Sequence, residues 1–191
     1  MSKKIILITG GERSGKSSYA EQMAQQMDPN PVYLATARIW DEEFRLRVRM
    51  HQERRGKHWV NIEEPLELSR HHFSGHTVLV DCLTLWATNF FFRASNNRMT
   101  SKSEEMEDVE KAREGQETVQ HVLQELKEEF DRLTRQDATF LFVTNEIGSG
   151  GISPDPIQRQ FTDLLGWLNQ YVAQKADEVI LMVSGIPVKI K

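Results

Sequence analysis

Residues 4–23 read KIILITGGERSGKSSYAEQM: a short apolar run, a glycine-rich turn, and a stretch suited to a helix. Within the turn Gly10, Gly15, Lys16 and Ser17 satisfy the pattern G-x-x-x-x-G-K-[S/T]. Glycines at such a turn let the backbone curl until successive N–H groups converge on phosphate oxygens, and the N-terminus of the following helix adds positive potential. Lys16 is placed to reach the β and γ phosphates of a nucleotide. Ser17 is placed to ligate Mg²⁺, a cation that takes hard oxygen ligands. The plain alternative, a strand-to-helix turn that holds nothing, leaves the joint presence of strand, spacing, lysine and hydroxyl unexplained.

The rest of the chain extends this strand–turn–helix start into an α/β pattern. Short β-branched or aromatic runs recur at 4–9, 32–36, 77–81, 139–144 and 178–183. They are mostly apolar rather than alternating, as expected for strands covered on both faces of a parallel sheet. PVKI at 187–190 reads as an added edge strand after a turn at Gly185. Between the runs lie helical patterns. Val119, Val122, Leu123, Leu126, Phe130 and Leu133 share a face over 118–134. Ile157, Phe161, Leu164, Leu165, Leu168 and Val172 do so over 156–175, with Asp155 as N-cap and Pro156 at the first helical position. The polar stretch RASNNRMTSKSEE at 93–105 reads as a surface loop. The expectation is one domain over 1–191, a three-layer P-loop NTPase-like fold with a mostly parallel central sheet.

Composition narrows the function. The chain carries 24 Lys and Arg against 28 Asp and Glu, a net charge of −4, which gives no global basis for binding nucleic acid or an anionic membrane. No run approaches the roughly 20 apolar residues a membrane span requires. The single cysteine, Cys82, fits a reducing cytoplasm, and the one His-x-x-x-His spacing, His72 to His76, falls in the glycine-containing stretch HHFSGH rather than on a helical pattern, so with a single cysteine it makes a poor zinc ligand set.

Two features complete a candidate site. A P-loop needs an acid at the end of a neighbouring strand to hold the metal or its water, and TVLVD puts Asp81 at such an end. In DEEFRLRVRMHQERRGKHW, residues 41–59, the cations Arg45, Arg47, Arg49, Arg54, Arg55 and Lys57 crowd around His51. On a helix, Arg47, Arg54 and Arg55 share its face. Such cations disfavour imidazolium and keep His51 neutral and nucleophilic. They also suit a polyphosphate and the charge that develops on phosphorus under attack. A solvated basic face with an incidental histidine is the alternative that spacing alone leaves open.

Taken together, these residues resemble one family, the bifunctional adenosylcobinamide kinase / adenosylcobinamide-phosphate guanylyltransferases of cobalamin biosynthesis. The resemblance runs end to end: ITGGERSGKSSYAE, VYLATA, RVRMHQERR with KHW, IEEP, VLVDCLTLWATN, VTNEIGSG, FTDLLGWLNQ and ADEVILMVSGIPVKIK occur in the family's order. It implies a P-loop α/β domain, commonly assembled as a homotrimer. It also implies two reactions, phosphorylation of the adenosylcobinamide hydroxyl by ATP or GTP and transfer of GMP from GTP to the resulting phosphate through a GMP-histidine intermediate.

By this resemblance His51 is the guanylylated histidine, with Gln52, Glu53 and Arg54 beside it, and Lys16 is the catalytic lysine of the phosphate loop. Gly10, Gly11, Glu12, Arg13, Ser14, Gly15, Lys16 and Ser17 match the GTP-phosphate loop. Ala35, Thr36 and Ala37 match the loop after the second strand, at the nucleotide. Glu63 matches an acidic nucleotide contact, and Asp81, with Ser17, the Mg²⁺-nucleotide site. The implied partners are the corrinoid substrates and further copies of the chain. Where family members more often carry G-x-G-[IV]-[VI]-P-x-x-R-x-x-R, this chain reads SGGISPDP. Arg159 keeps the later arginine, and Pro156 stands in place of the earlier one.

Two rivals follow from the same residues. A small-molecule kinase would use the P-loop without a covalent histidine. A regulatory GTP switch fits poorly, because no N-K-x-D motif follows the later strands and the Asp81 block reads DCLT rather than D-x-x-G.

Overall fold

The apolar runs become strands because each can bury both faces. In the computed structural model, which describes residues 3–38, 42, 58–99 and 108–191, seven strands form one sheet in the order β3-β2-β4-β5-β1-β6-β7. They are β1 (Lys4–Gly10), β2 (Val32–Ala35), β3 (Val60–Glu63), β4 (Thr77–Asp81), β5 (Thr139–Asn145), β6 (Glu178–Val183) and β7 (Ile186–Lys189). All neighbours pair parallel except β6 and β7, which form an antiparallel hairpin. Among the described residues four α-helices accompany them: α1 (Lys16–Met27), α2 (Leu83–Met99), α3 (Asp108–Leu133) and α4 (Pro156–Lys175).

Alternate residues of each strand face opposite layers. Ile5, Leu7, Val78, Val80, Phe140 and Phe142 pack with Trp86 of α2, Phe130 of α3 and Leu168 of α4 in the larger core. Ile6, Ile8, Leu79, Leu141 and Val143 pack on the other face against Ala20 and Ala24 of α1, with Tyr33 and Trp59 alongside. The result is the expected three-layer arrangement. The Asp155 N-cap is also present: Oδ1 accepts from the backbone N–H of Ile157 at 2.8 Å and of Gln158 at 3.5 Å, with Pro156 beginning the helix.

One local expectation needs correction, and one strand was not anticipated. The stretch 93–105 was expected to be a loop, yet residues 93–99 continue α2, because the apolar anchors Trp86, Ala87, Phe90 and Phe91 set a helix that carries on into its polar end; residues 100–105 lie outside the described set. The strand β3 has no apolar run behind it. Its residues VNIE are mostly exposed, and it pairs through its backbone with β2 alone at the sheet edge.

Parallel strands bring their C-terminal ends to one side of the sheet. Registers Ala35↔Asp81 and Ala35↔Glu63 put three expected site residues in one row. Gly10 and Asn145 share another row.

Candidate active site

The turn after β1 has the backbone its glycines suggest. Gly10 lies at φ 153°, and a Cβ there would sit 2.6 Å from the carbonyl oxygen of Met182 on β6, so no larger residue fits. Gly15 adopts φ 92° immediately before α1, a left-handed conformation that costs glycine little. Arg13 is also left-handed, at φ 55°, a position a non-glycine residue holds only when its surroundings enforce it. No side chain caps α1, and its first turn carries no acid. Its N-terminal N–H groups and positive dipole end are therefore offered to an anion.

A cavity of about 490 Å³ opens at this point, with Glu12 to Ser18 on one side and Asp81, Cys82, Val143 and Asn145 on the other. Lys16 lies over the loop; its Nζ donates to the Gly11 carbonyl and, at 3.4 Å, to Ser14 Oγ. It is only 7% exposed. Burial pushes its pKa below the ordinary lysine value, while the nearby carboxylates of Asp81 and Glu12 act to raise it. A desolvated ammonium beside a ring of N–H donors interacts strongly with a polyphosphate.

Asp81 is half-buried at the end of β4, and its Oδ2 accepts a 2.8 Å hydrogen bond from the Tyr33 hydroxyl. The Tyr33 ring meets Trp59 edge-on at 6.0 Å. Ser17 and Asp81 both line the cavity and supply hard oxygen donors, a set that fits Mg²⁺ beside a bound triphosphate. Cys82, next to Asp81, is buried, and its thiol is pushed up to about 12 by burial and by the Asp81 carboxylate. It is no nucleophile near neutral pH.

The loop after β2 is tied to the same place. The buried Thr36 Oγ1 accepts from the Cys82 N–H at 2.9 Å and donates to the Cys82 carbonyl at 2.8 Å. Asn89 on α2 donates to the Thr36 and Pro65 carbonyls at 2.7 and 3.0 Å. Ala35, Thr36 and Ala37 therefore sit at the C-terminal edge of the parallel strands, beside Asp81 and Cys82, without lining the phosphate cavity. Glu63 is exposed at the end of β3. Its neighbour Glu64 has another task. Burial acts to raise its pKa, but N–H donors from Leu66 and Glu67 and the Arg70 guanidinium hold it below the usual range. His51, Gln52, Glu53 and Arg54 lie outside the described residues.

Sequence reasoning did not single out Asn145 or Tyr33. Asn145 is fixed through its backbone: its N–H donates to Thr84 Oγ1 at 2.9 Å, and its carbonyl accepts from Asn169 at 3.2 Å. Asn169 also accepts from the Thr144 hydroxyl at 2.7 Å. The available signal was its position, the last residue of a strand beside β1.

Comparison with known proteins agrees with this geometry. The profile of the cobinamide kinase / cobinamide phosphate guanyltransferase family matches residues 6–190. The bifunctional adenosylcobalamin biosynthesis protein CobP of Pseudomonas aeruginosa is 33% identical, covering 97% of this chain and 96% of that protein. The corresponding CobU proteins of Escherichia coli and Salmonella typhimurium are 32% and 33% identical, each alignment covering 98% of this chain and 99% of the relative. Among solved structures, an ATPase of a bacterial type III secretion system superposes with a TM-score of 0.53 at 12% identity. That match covers 95% of this chain and about half (51%) of the ATPase, and it shows the fold alone. With a phosphate loop, a strand-end acid and near full-length similarity in hand, the chain belongs to the cobinamide kinase / cobinamide phosphate guanyltransferase family.

Proposed function

We propose that this chain phosphorylates adenosylcobinamide with ATP or GTP, and then transfers GMP from GTP to the phosphate through a GMP-histidine intermediate at His51. The observation that carries the reading is the cavity in which the Gly10–Ser17 loop, the buried Lys16 and Asp81 converge. A P-loop cradle with a strand-end acid is the arrangement that phosphoryl and nucleotidyl transfer share.

In the guanylyl step the loop N–H groups and Lys16 hold the triphosphate so that its α-phosphorus faces His51. The imidazole attacks in line, forming a P–N bond as the bond from the α-phosphorus to its bridging oxygen breaks and pyrophosphate leaves. Lys16 and the arginines around His51 offset the charge that builds on the departing oxygens. The corrinoid phosphate then attacks the same phosphorus and releases the histidine. Ser17 and Asp81 would hold Mg²⁺, directly or through water, and the ion supplies neutralisation of triphosphate charge. Glu63, with Ala35 to Ala37, stands at the guanosine end of the site. In the kinase step the same loop presents the γ-phosphate to the substrate hydroxyl. We place the enzyme in the cytoplasm as a homotrimer. Among the described residues, no helix is long and apolar enough to cross a membrane.

Product analysis tests the reading. Adenosylcobinamide incubated with each triphosphate should give its phosphate, and with GTP should go on to adenosylcobinamide-GDP and pyrophosphate. Accumulation of the phosphate alone, with GTP in excess, would leave the small-molecule kinase as the correct description.

A further inference from the structure

A second concavity, of about 690 Å³, lies between α3, α4 and the loop that follows β5. The phosphate site makes no use of it. Its walls mix small and apolar positions with amides: Gly166 and Trp167 of α4, Ile152 of the loop, and Gln116, Gln160 and Gln170. The charged residues at its rim are one of each sign, Arg159 and Asp163. The Arg159 guanidinium is already engaged, donating to the Ser153 and Pro154 carbonyls at 2.9 and 2.7 Å. Ile152 is 91% exposed. Such a surface suits a large ligand with an apolar face and a neutral, amide-bearing rim. It does not suit a second nucleotide, which would need cations or a phosphate loop.

The groove and the phosphate cavity are joined by one short segment. Asn145 lines the cavity and Gly148 the groove. Only two residues, Glu146 and Ile147, lie between them, so their Cα atoms are no more than about 11 Å apart. The segment is held at the loop that begins the phosphate site: the Glu146 N–H donates to the Gly10 carbonyl at 3.0 Å, and Glu146 Oε1 accepts from the Gly148 N–H at 2.8 Å. A substrate resting in the groove could extend one arm past Gly148 into the phosphate cavity.

We propose that this groove is the corrinoid subsite: it holds one edge of the cobinamide macrocycle, whose rim carries acetamide and propionamide groups, while the aminopropanol arm reaches the phosphate loop. The inference rests on the cobinamide reading and adds where on the chain the acceptor sits. Gln116, Gln160 and Gln170 exchange hydrogen bonds with the rim amides, and Trp167 and Ile152 cover apolar surface of the ring. Gly166 leaves the floor open, since a Cβ built there meets nothing within 4 Å. A side chain at that position would fill the groove without disturbing the helix.

The test is equilibrium dialysis of adenosylcobinamide and, separately, of GTP against the full chain, its Gly166→Leu variant and its Gln160→Ala variant, with sedimentation velocity on each. Gly166→Leu should weaken corrinoid binding about tenfold or more, and Gln160→Ala a few-fold, with GTP binding unchanged. Unaltered corrinoid affinity in both variants would overturn the subsite. So would loss of self-association in Gly166→Leu, which would make the groove a contact between copies. If the unsubstituted chain retains no corrinoid, the cobinamide reading fails, and the subsite fails with it. If it binds corrinoid and the variants match it, the subsite alone fails.

Discussion

The Tyr33 hydroxyl on β2 donates a 2.8 Å hydrogen bond to Oδ2 of Asp81 on β4, across adjacent strands whose register places Tyr33 opposite Leu79 and Ala35 opposite Asp81. The bond fixes one carboxylate oxygen, so that Asp81 meets the cavity in a set orientation. Partners that orient metal-site carboxylates typically contribute 10- to 100-fold in metal affinity. Tyr33→Phe should therefore weaken Mg²⁺-dependent GTP binding by about tenfold while leaving Mg²⁺-free binding little changed. Titration calorimetry with and without Mg²⁺ reads the difference. Equal losses in both conditions would show that Tyr33 supports the fold rather than the carboxylate.

Lys16 gives a pH signature. Burial holds its pKa below the ordinary 10.5, so in the free protein the buried ammonium carries a stability cost at pH below that lowered value. The cost fades as pH rises from the lowered value toward 10.5. A bound triphosphate places negative charge beside the ammonium and raises its pKa again. GTP binding should therefore take up protons as pH climbs into that window and take up none through Lys16 near neutrality. Calorimetry in buffers of different ionisation enthalpy measures the uptake, and Lys16→Met should abolish it along with about 100-fold or more of kcat/KM.

Cys82 lines the phosphate cavity, yet its thiol is pushed up to about 12. Thiolate is the reactive form, so the native protein at pH 8 should resist alkylation by iodoacetamide and react promptly once unfolded in urea. Intact mass spectrometry over time reads both rates. Fast labelling of the folded protein would contradict the burial described for this strand end.

Asn89 joins the loops that follow β2 and β3 through the Thr36 and Pro65 carbonyls. Asn89→Ala leaves those carbonyls without their donor and opens space beside α2. The expected loss is about 1–3 kcal/mol of unfolding free energy, measured by urea denaturation.

The strand–loop–helix start was legible because three signals coincide there: an apolar run, glycines where the backbone turns left-handed, and Lys16 and Ser17 at fixed spacing. The same holds for Asp81, which ends an unambiguous buried strand. β3 was not legible. Its exposed residues carry no pattern, and the strand exists because the β2 edge offers hydrogen bonds. Nor was the fixing of Asn145, since Thr84 and Asn169 lie 61 and 24 residues away in sequence. The polar end of α2 misled for a related reason: composition marked 93–99 as loop, while the anchors that make it helical lie a turn or more earlier.

The proposed guanylyl transfer depends on His51 as a covalent carrier of GMP. Incubation with GTP labelled at the α-phosphate, followed by peptide mapping, is the most direct measurement. The expected result is an acid-labile, alkali-stable label on the peptide containing His51, formed with release of pyrophosphate, discharged by adenosylcobinamide-phosphate and absent in His51→Ala. An unlabelled protein that still converts adenosylcobinamide-phosphate to adenosylcobinamide-GDP would contradict it.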